Sequence, residues 1–186
     1  MTNVDTADVN AVWFKRQPGR DQGDWALNSE AFQRVLQIWN KAGTKARRHP
    51  LSVDGASDVN GFNAKYLEYY TKENSFERAT VQELYGKGVY INPDFRKVGM
   101  YLSKLESLWH DNCDIDVCMV LPCDERRAWY PLLKKHFECV HVFSKSWRSS
   151  DDSYLFSRPV LGRPQERESL CGFPSLIMFT SFNLPS

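Results

Sequence analysis

No apolar run in this sequence is long. Residues 117–121 and 176–179 are the most continuous, and both fall far short of the ~20 residues that cross a bilayer, so no membrane partner is expected. The first ten residues carry two aspartates and no apolar core, so no secretory leader is expected there. A surplus of one charge is also missing. Lys and Arg number 24 against 23 Asp and Glu, a net charge of +1. Such a chain has no global field to gather nucleic acid or an anionic surface, so a nucleic-acid partner must be held by a local basic patch.

Several catalytic signatures are absent too. There is no Gly-x-x-x-x-Gly-Lys-Ser/Thr loop, no Gly-x-Gly-x-x-Gly and no Gly-x-Ser-x-Gly, which argues against a P-loop nucleotidase, a dinucleotide fingerprint and a nucleophile elbow. Cysteine is sparse and irregular. Cys113, Cys118 and Cys123 stand five residues apart rather than as Cys-x-x-Cys, and the four histidines are scattered, so no metal site is expected. Five cysteines, an odd number without a framework, point to free thiols in a reducing intracellular compartment, cytoplasm or nucleus.

What is present is the composition of a soluble globular protein, 42% hydrophobic and 25% charged over 186 residues, enough for one domain with a sizeable core. Residues 1–22 are polar, broken by Gln17-Pro18-Gly19, and read as a loose arm; residues 23–186 read as a single domain. Asn28 or Ser29 caps a first helix whose Phe32, Val35, Leu36 and Trp39 recur at helical spacing up to Gly43. The basic cluster Lys45, Arg47, Arg48 and His49 follows, a solvated loop or, alternatively, a phosphate contact. Residues 51–56 form a strand ending in Asp54. Asn60, Gly61 and Asn63 make a turn-rich loop, followed by an aromatic group, Tyr66, Tyr69 and Tyr70. Residues 71–86 read as irregular.

The next stretch is the most informative. Val89, Tyr90 and Ile91 have the bias of a central strand, which Pro93 must end. A helix then places Val98, Leu102, Leu105 and Trp109 on one face. Residues 115–121 form a strand closed by Pro122. Asp124 caps a helix with Trp129, Leu132, Leu133 and Phe137 inside, and 140–143 is a strand. Residues 154–156 and 176–182 are the last two strands, an antiparallel terminal pair. This alternation gives an α/β fold with a mostly parallel sheet flanked by helices. Ligands of such sheets sit where strands end and helices begin, which singles out Asn92-Pro93-Asp94-Phe95 and Asp54. The Asn92 side-chain oxygen and the Pro93 carbonyl offer two acceptors for the two N–H groups of an exocyclic amine. Phe95 is placed to stack on a flipped base. Read alone, the same tetrapeptide is an ordinary helix-start turn.

Asn92-Pro93-Asp94-Phe95 resembles the Asn-Pro-Pro-Tyr/Phe motif of amino-methylating DNA methyltransferases. The wider layout is similar to the small phage-type DNA N6-adenine methyltransferases and related mobile-element domains. It is carried by Trp25-Ala26-Leu27-Asn28, Asp54-Gly55-Ala56-Ser57, Asn63-Ala64-Lys65, Tyr69-Tyr70-Thr71 and Asn92-Pro93. Val120-Leu121-Pro122, Trp129-Tyr130, Leu155-Phe156 and Phe173-Pro174-Ser175 continue it, so it covers roughly residues 24–182.

The resemblance implies a Rossmann-like methyltransferase fold, S-adenosylmethionine as cofactor and DNA as partner. It gives Asn92, Pro93, Asp94 and Phe95 the catalytic positions, and Asp54, Ala56 and Asn63 the cofactor site. Asp94 stands where the family has a second proline, which is expected to loosen the turn and set a negative charge near the cofactor. A catalytically degenerate binding module is the alternative, and a Rossmann-like small-molecule transferase is a third reading. Lys145, Trp147 and Arg148, with Arg158, Arg163 and Arg167 beyond them, are the candidate nucleic-acid contacts; an ordinary surface diluted by Asp151 and Asp152 is the other account.

Overall fold

The computed structural model describes residues 26–46, 48–57, 61, 63–150, 155–157 and 174–180. The expected arm at 1–22, and with it Trp25, Arg47, Asn60, Asp151, Asp152, Tyr154, Arg158, Arg163, Arg167 and Phe173, lies outside the described residues.

The elements run β1 (Ala26–Leu27), α1 (Ser29–Ala46), β2 (Leu51–Asp54), β3 (Glu68–Tyr69), a 3-10 turn (Phe76–Arg78), α2 (Val81–Leu84), β4 (Lys87–Ile91), α3 (Val98–His110), β5 (Ile115–Pro122), α4 (Tyr130–His136), β6 (Phe137–Phe143), β7 (Phe156–Ser157) and β8 (Ser175–Thr180). Six strands form a sheet in the order β3-β2-β4-β5-β8-β6, and β1 pairs with β7 in a separate ribbon. β3, β2, β4 and β5 are mutually parallel, whereas β8 is antiparallel to both β5 and β6.

Strand alternation sorts the core into two layers. Val89, Ile91, Val117, Met119 and Leu121 face α2, α3 and α4. Tyr90, Cys118, Val120, Ile177 and Phe179 face α1 and the β1–β7 ribbon. Asn28 caps α1 through Oδ1, accepting the Glu30 amide at 2.8 Å, and Phe32, Val35 and Trp39 are buried on the inner face as their spacing predicts. In α3, Val98, Leu102 and Leu105 are buried, with Trp109 packed at the margin of the same cluster. Gly88 is required by close approach. A Cβ there would stand 2.6 Å from the carbonyl oxygens of His49 and Pro50, backbone that cannot move aside.

Four expectations are corrected. The last two strands do not pair with each other: β7 takes β1, and β8 enters between β5 and β6. Every residue of β8 is buried, so it needs neighbours on both edges, which a two-residue β7 does not supply. Residues 71–86 are not irregular throughout. Thr80 Oγ1 accepts the Glu83 amide at 3.3 Å and Glu83 reaches back to the Thr80 amide at 2.7 Å, a capping box that starts α2.

Asp124 does not cap α4. It binds Arg126 and Arg127 instead, α4 starts at Tyr130 with Pro131 in its first turn, and Phe137 opens β6. Arg48 belongs to no solvated loop or phosphate contact. Its guanidinium lies 5.1 Å from the Trp39 ring and 4.9 Å from that of Phe179. It donates to Thr180 Oγ1 at 3.0 Å and to the Thr180 carbonyl at 2.9 Å, facing Asp116 and Glu138 at 3.7 Å. Burial pulls its pKa down while those carboxylates push it back up. The Phe179 ring, Thr180 and both carboxylates come from positions far along the chain, which is why a local reading of the basic cluster misses them.

Candidate functional site

β2 and β4 are neighbours in the sheet, yet the chain leaves them in opposite directions, from β2 outward to β3 and from β4 across to β5. At such a reversal an open α/β sheet has its crevice, at the carboxyl ends of the two strands, and that is its preferred ligand position. Asp54 ends β2, and Asn92-Pro93-Asp94-Phe95 follows β4. The two ends are tied: Asp54 is in register with Tyr90, and the Gly55 amide donates to the Tyr90 carbonyl at 2.8 Å.

Asp54 is buried. Its Oδ1 accepts the Ala56 amide at 3.0 Å and its Oδ2 accepts the Lys65 amide at 2.9 Å. The carboxylate thereby folds the loop after β2 over the crevice, and the Tyr70 amide bonds the Asp54 carbonyl at 2.8 Å from the other side. Both carboxylate oxygens thus hold backbone N–H groups of the loop. Gly55 lets the loop lie low, since a Cβ there would sit 2.9 Å from Ile91 Cγ1. Ala56 contributes its N–H to the site, while its methyl packs on the α3-side core. Asn63 is buried and accepts the Ser57 hydroxyl at 2.9 Å, closing the loop. Gly61 has φ +68°, and a side chain there would collide with the Tyr69 ring.

In the turn after β4, Pro93 is buried and Asn92 half-buried. Asp94 does not leave the turn loose. Its Oδ1 accepts the Arg96 amide and Nε, both at 3.0 Å, its Oδ2 accepts Arg96 Nη2 at 2.5 Å, and its carbonyl accepts the Lys97 amide at 2.8 Å. The Arg96 hydrogen bonds hold the Asp94 carboxyl below the usual carboxylate range against a smaller burial effect. The charge expected near a cofactor is thus shared with a guanidinium two residues on. Phe95 is half-buried, edge-on to Phe156 of β7 with ring centroids 6.1 Å apart.

Four further residues contribute, none of which was given a site role from the sequence. Lys65 sends its Nζ to the Leu27 carbonyl at 3.1 Å and over the Phe32 ring at 5.3 Å, tying the loop to β1. Arg96 holds the turn through Asp94. Tyr90 and Tyr66 flank Phe32, at 5.0 and 6.1 Å between ring centroids, and their hydroxyls are buried with no hydrogen-bond partner among the described residues. Burial pushes both phenols well up, so they stay protonated. The Asn63-Ala64-Lys65 segment was the available signal for Lys65; the tyrosines depend on tertiary packing, and Arg96 on the conformation of its own side chain.

Lys145 and Arg148 are exposed and Trp147 is half-buried, its ring edge-on to Phe143 at 5.2 Å. Their loop returns to α1, where the Ser150 amide donates to both Glu30 carboxylate oxygens at 3.1 Å. It lies on the same carboxyl edge as Asn92, three strands away, about 14 Å at the usual interstrand spacing. Among the described residues no group of three or more His, Cys, Asp or Glu is arranged to hold a metal ion, and no helix is long and apolar enough to cross a membrane. No family model matches the chain, and no curated protein gives a significant match.

Proposed function

We propose that this chain is an S-adenosylmethionine-dependent amino-methyltransferase acting on an exocyclic amine in DNA, adenine N6. The observation that carries the reading is the meeting of Asp54 and the Asn92-Pro93 turn at the crevice between β2 and β4. The mostly parallel sheet with an antiparallel last strand supports a Rossmann-like methyltransferase form.

The crevice fits the cofactor in chemistry. Asp54 is an acceptor for a ribose hydroxyl or an amino group, and Gly55 and Ala56 keep the loop backbone low beside it. When bound, the cofactor supplies an electrophilic methyl group. Asn92 Oδ1 and the Pro93 carbonyl accept the two N–H bonds of the amine, which draws its lone pair away from the ring toward the incoming methyl. Phe95 offers a face to the flipped base. Asp94, through Arg96, fixes where the turn points.

Calorimetric titration with S-adenosylmethionine and S-adenosylhomocysteine tests the reading. Binding at micromolar strength, about −8 kcal/mol, supports it, and no binding to either removes it. A second reading, a binding module without catalysis, is favoured by one observation: Asp94 occupies the second proline's place and is committed to Arg96. It expects no methyl transfer by the wild type, and recovery of cofactor binding in Asp94→Pro.

A further inference from the structure

A closed circuit of contacts runs around the two strand ends. From Asp54 it passes to Lys65, whose amide donates to Asp54 Oδ2 at 2.9 Å and whose Nζ donates to the Leu27 carbonyl at 3.1 Å. Leu27 stands opposite Phe156 in the β1–β7 ribbon. Phe156 meets the Phe95 ring at 6.1 Å between centroids. Phe95 leads back through its turn to β4, where the Tyr90 carbonyl accepts the Gly55 amide at 2.8 Å. Lys65 is therefore held at its backbone by the end of β2 and at its side chain by the ribbon that backs Phe95.

The ribbon is the part of this circuit able to shift. It has two residues in each strand and stands apart from the six-stranded sheet, and so short a pairing is marginal by itself. Its place is set by what grips it. The Asn28 amide donates to the Leu155 carbonyl at 2.8 Å, and Leu27, Leu155 and Phe156 are buried in the α1-side core. Lys65 adds a tie of another kind, from the ribbon to the loop that Asp54 folds. Its ammonium lies 5.3 Å from the centre of the Phe32 ring, a cation–π contact that steadies its reach from α1.

We propose that Lys65 is a positioning residue that couples the two halves of the candidate site. A ligand that holds the loop closed at Asp54 keeps Lys65 on Leu27 and, through Phe156, sets the face that Phe95 presents. The two ligands, cofactor at Asp54 and acceptor base at Phe95, are those of the methyl-transfer reading; the coupling rests on the contacts. A ligand indifferent to the arrangement of the loop shifts nothing, and by linkage each ligand tightens the other by the same factor.

The test has two arms, both on the full chain. In the first, a labelled adenine-containing oligonucleotide is titrated by fluorescence anisotropy with and without saturating S-adenosylhomocysteine. Wild type is expected to bind it about fivefold more tightly, or better, when the second ligand is present. Lys65→Met keeps an apolar stem over Phe32 and loses the ammonium, so the two affinities become equal, and Lys65→Arg restores the difference. In the second arm, without ligand, amide hydrogen exchange is followed by NMR. Lys65→Met is expected to speed exchange at Asn28 in the ribbon and at Arg96 and Lys97 in the turn, whose amides are bonded to Leu155 and Asp94, while β5 exchanges as before. Equal affinities in a wild type that binds both ligands, an undiminished difference in Lys65→Met, or exchange that quickens only at Ala56 and Lys65 overturns the coupling. If the wild type binds neither ligand, the methyl-transfer reading falls and the exchange arm decides the coupling by itself.

Discussion

The Gly55 amide donates to the Tyr90 carbonyl at 2.8 Å, stitching the loop after β2 to β4 two residues before Asn92. Substitution of Gly55 by alanine sets a Cβ 2.9 Å from Ile91 Cγ1 and forces the loop upward. A loss of about 1–3 kcal/mol is expected from overpacking, measured by urea unfolding, together with weaker cofactor binding. Relief of the stability loss by Ile91→Ala in the same chain would tie it to this contact.

Asn92→Ala removes one of the two acceptors in the turn after β4. Methyl transfer to DNA is expected to fall by about a hundredfold or more with the melting temperature close to wild type, because Asn92 is half-buried at a strand end rather than in the core. Transfer at the wild-type rate would sink the assignment of this turn.

Asp94 supplies a pH signature. Its folded carboxyl is held below the ordinary value of 3.8 by Arg96, so its stabilising contribution is complete above that ordinary value and disappears as pH falls through the lower folded one. Asp94→Asn should therefore melt below wild type at neutral pH, with the two curves converging in strong acid. A gap that persists at the acid end would mean the loss comes from the turn's geometry, not from charge.

Removing Arg48 opens a gap between the Trp39 and Phe179 rings and takes a donor from both the Thr180 hydroxyl and its carbonyl. Arg48→Ala is expected to cost about 2–5 kcal/mol, and Arg48→Lys to recover little, because one ammonium cannot reach both Thr180 acceptors and lie flat between Trp39 and Phe179. Denaturant midpoints of the two variants decide this.

The Tyr90 hydroxyl is buried with no partner among the described residues, and an unsatisfied buried group costs about 1–3 kcal/mol. Tyr90→Phe should accordingly raise stability or leave it unchanged, read as a melting temperature at or above wild type. A fall of more than 1 kcal/mol or so would reveal a hydrogen bond that forms in solution.

The parts of this fold legible in the sequence are those whose signals are local. The apolar spacing of α1 and α3 and the Pro93 stop after β4 each rest on neighbours within a turn or two. β1 and β3 are two residues each, too short to show any period. The Thr80–Glu83 capping box was present to be read, but a single helical turn leaves no apolar stripe to accompany it. The place of β8 is a property of the whole sheet, since its six buried residues identify a doubly covered strand without naming its neighbours. At the site, the two strand ends could be foreseen. The Lys65–Leu27 contact and the Asp94–Arg96 clasp could not, because the first needs β1 and the second turns on the conformation of one side chain.

β8 also sets the order in which the molecule can be completed. Among the described residues, β6 bonds to no strand but β8, and β5 meets β6 only through it. A nascent chain that has emerged as far as residue 170 thus holds β5, apolar over most of its length, as an open sheet edge, with β6 waiting unpaired. The sheet closes only when β8 threads between strands made some 30 to 60 residues earlier, a long-range pairing of the kind that slows folding. Until β8 arrives, the stickiest strand of the sheet is the one that needs guarding.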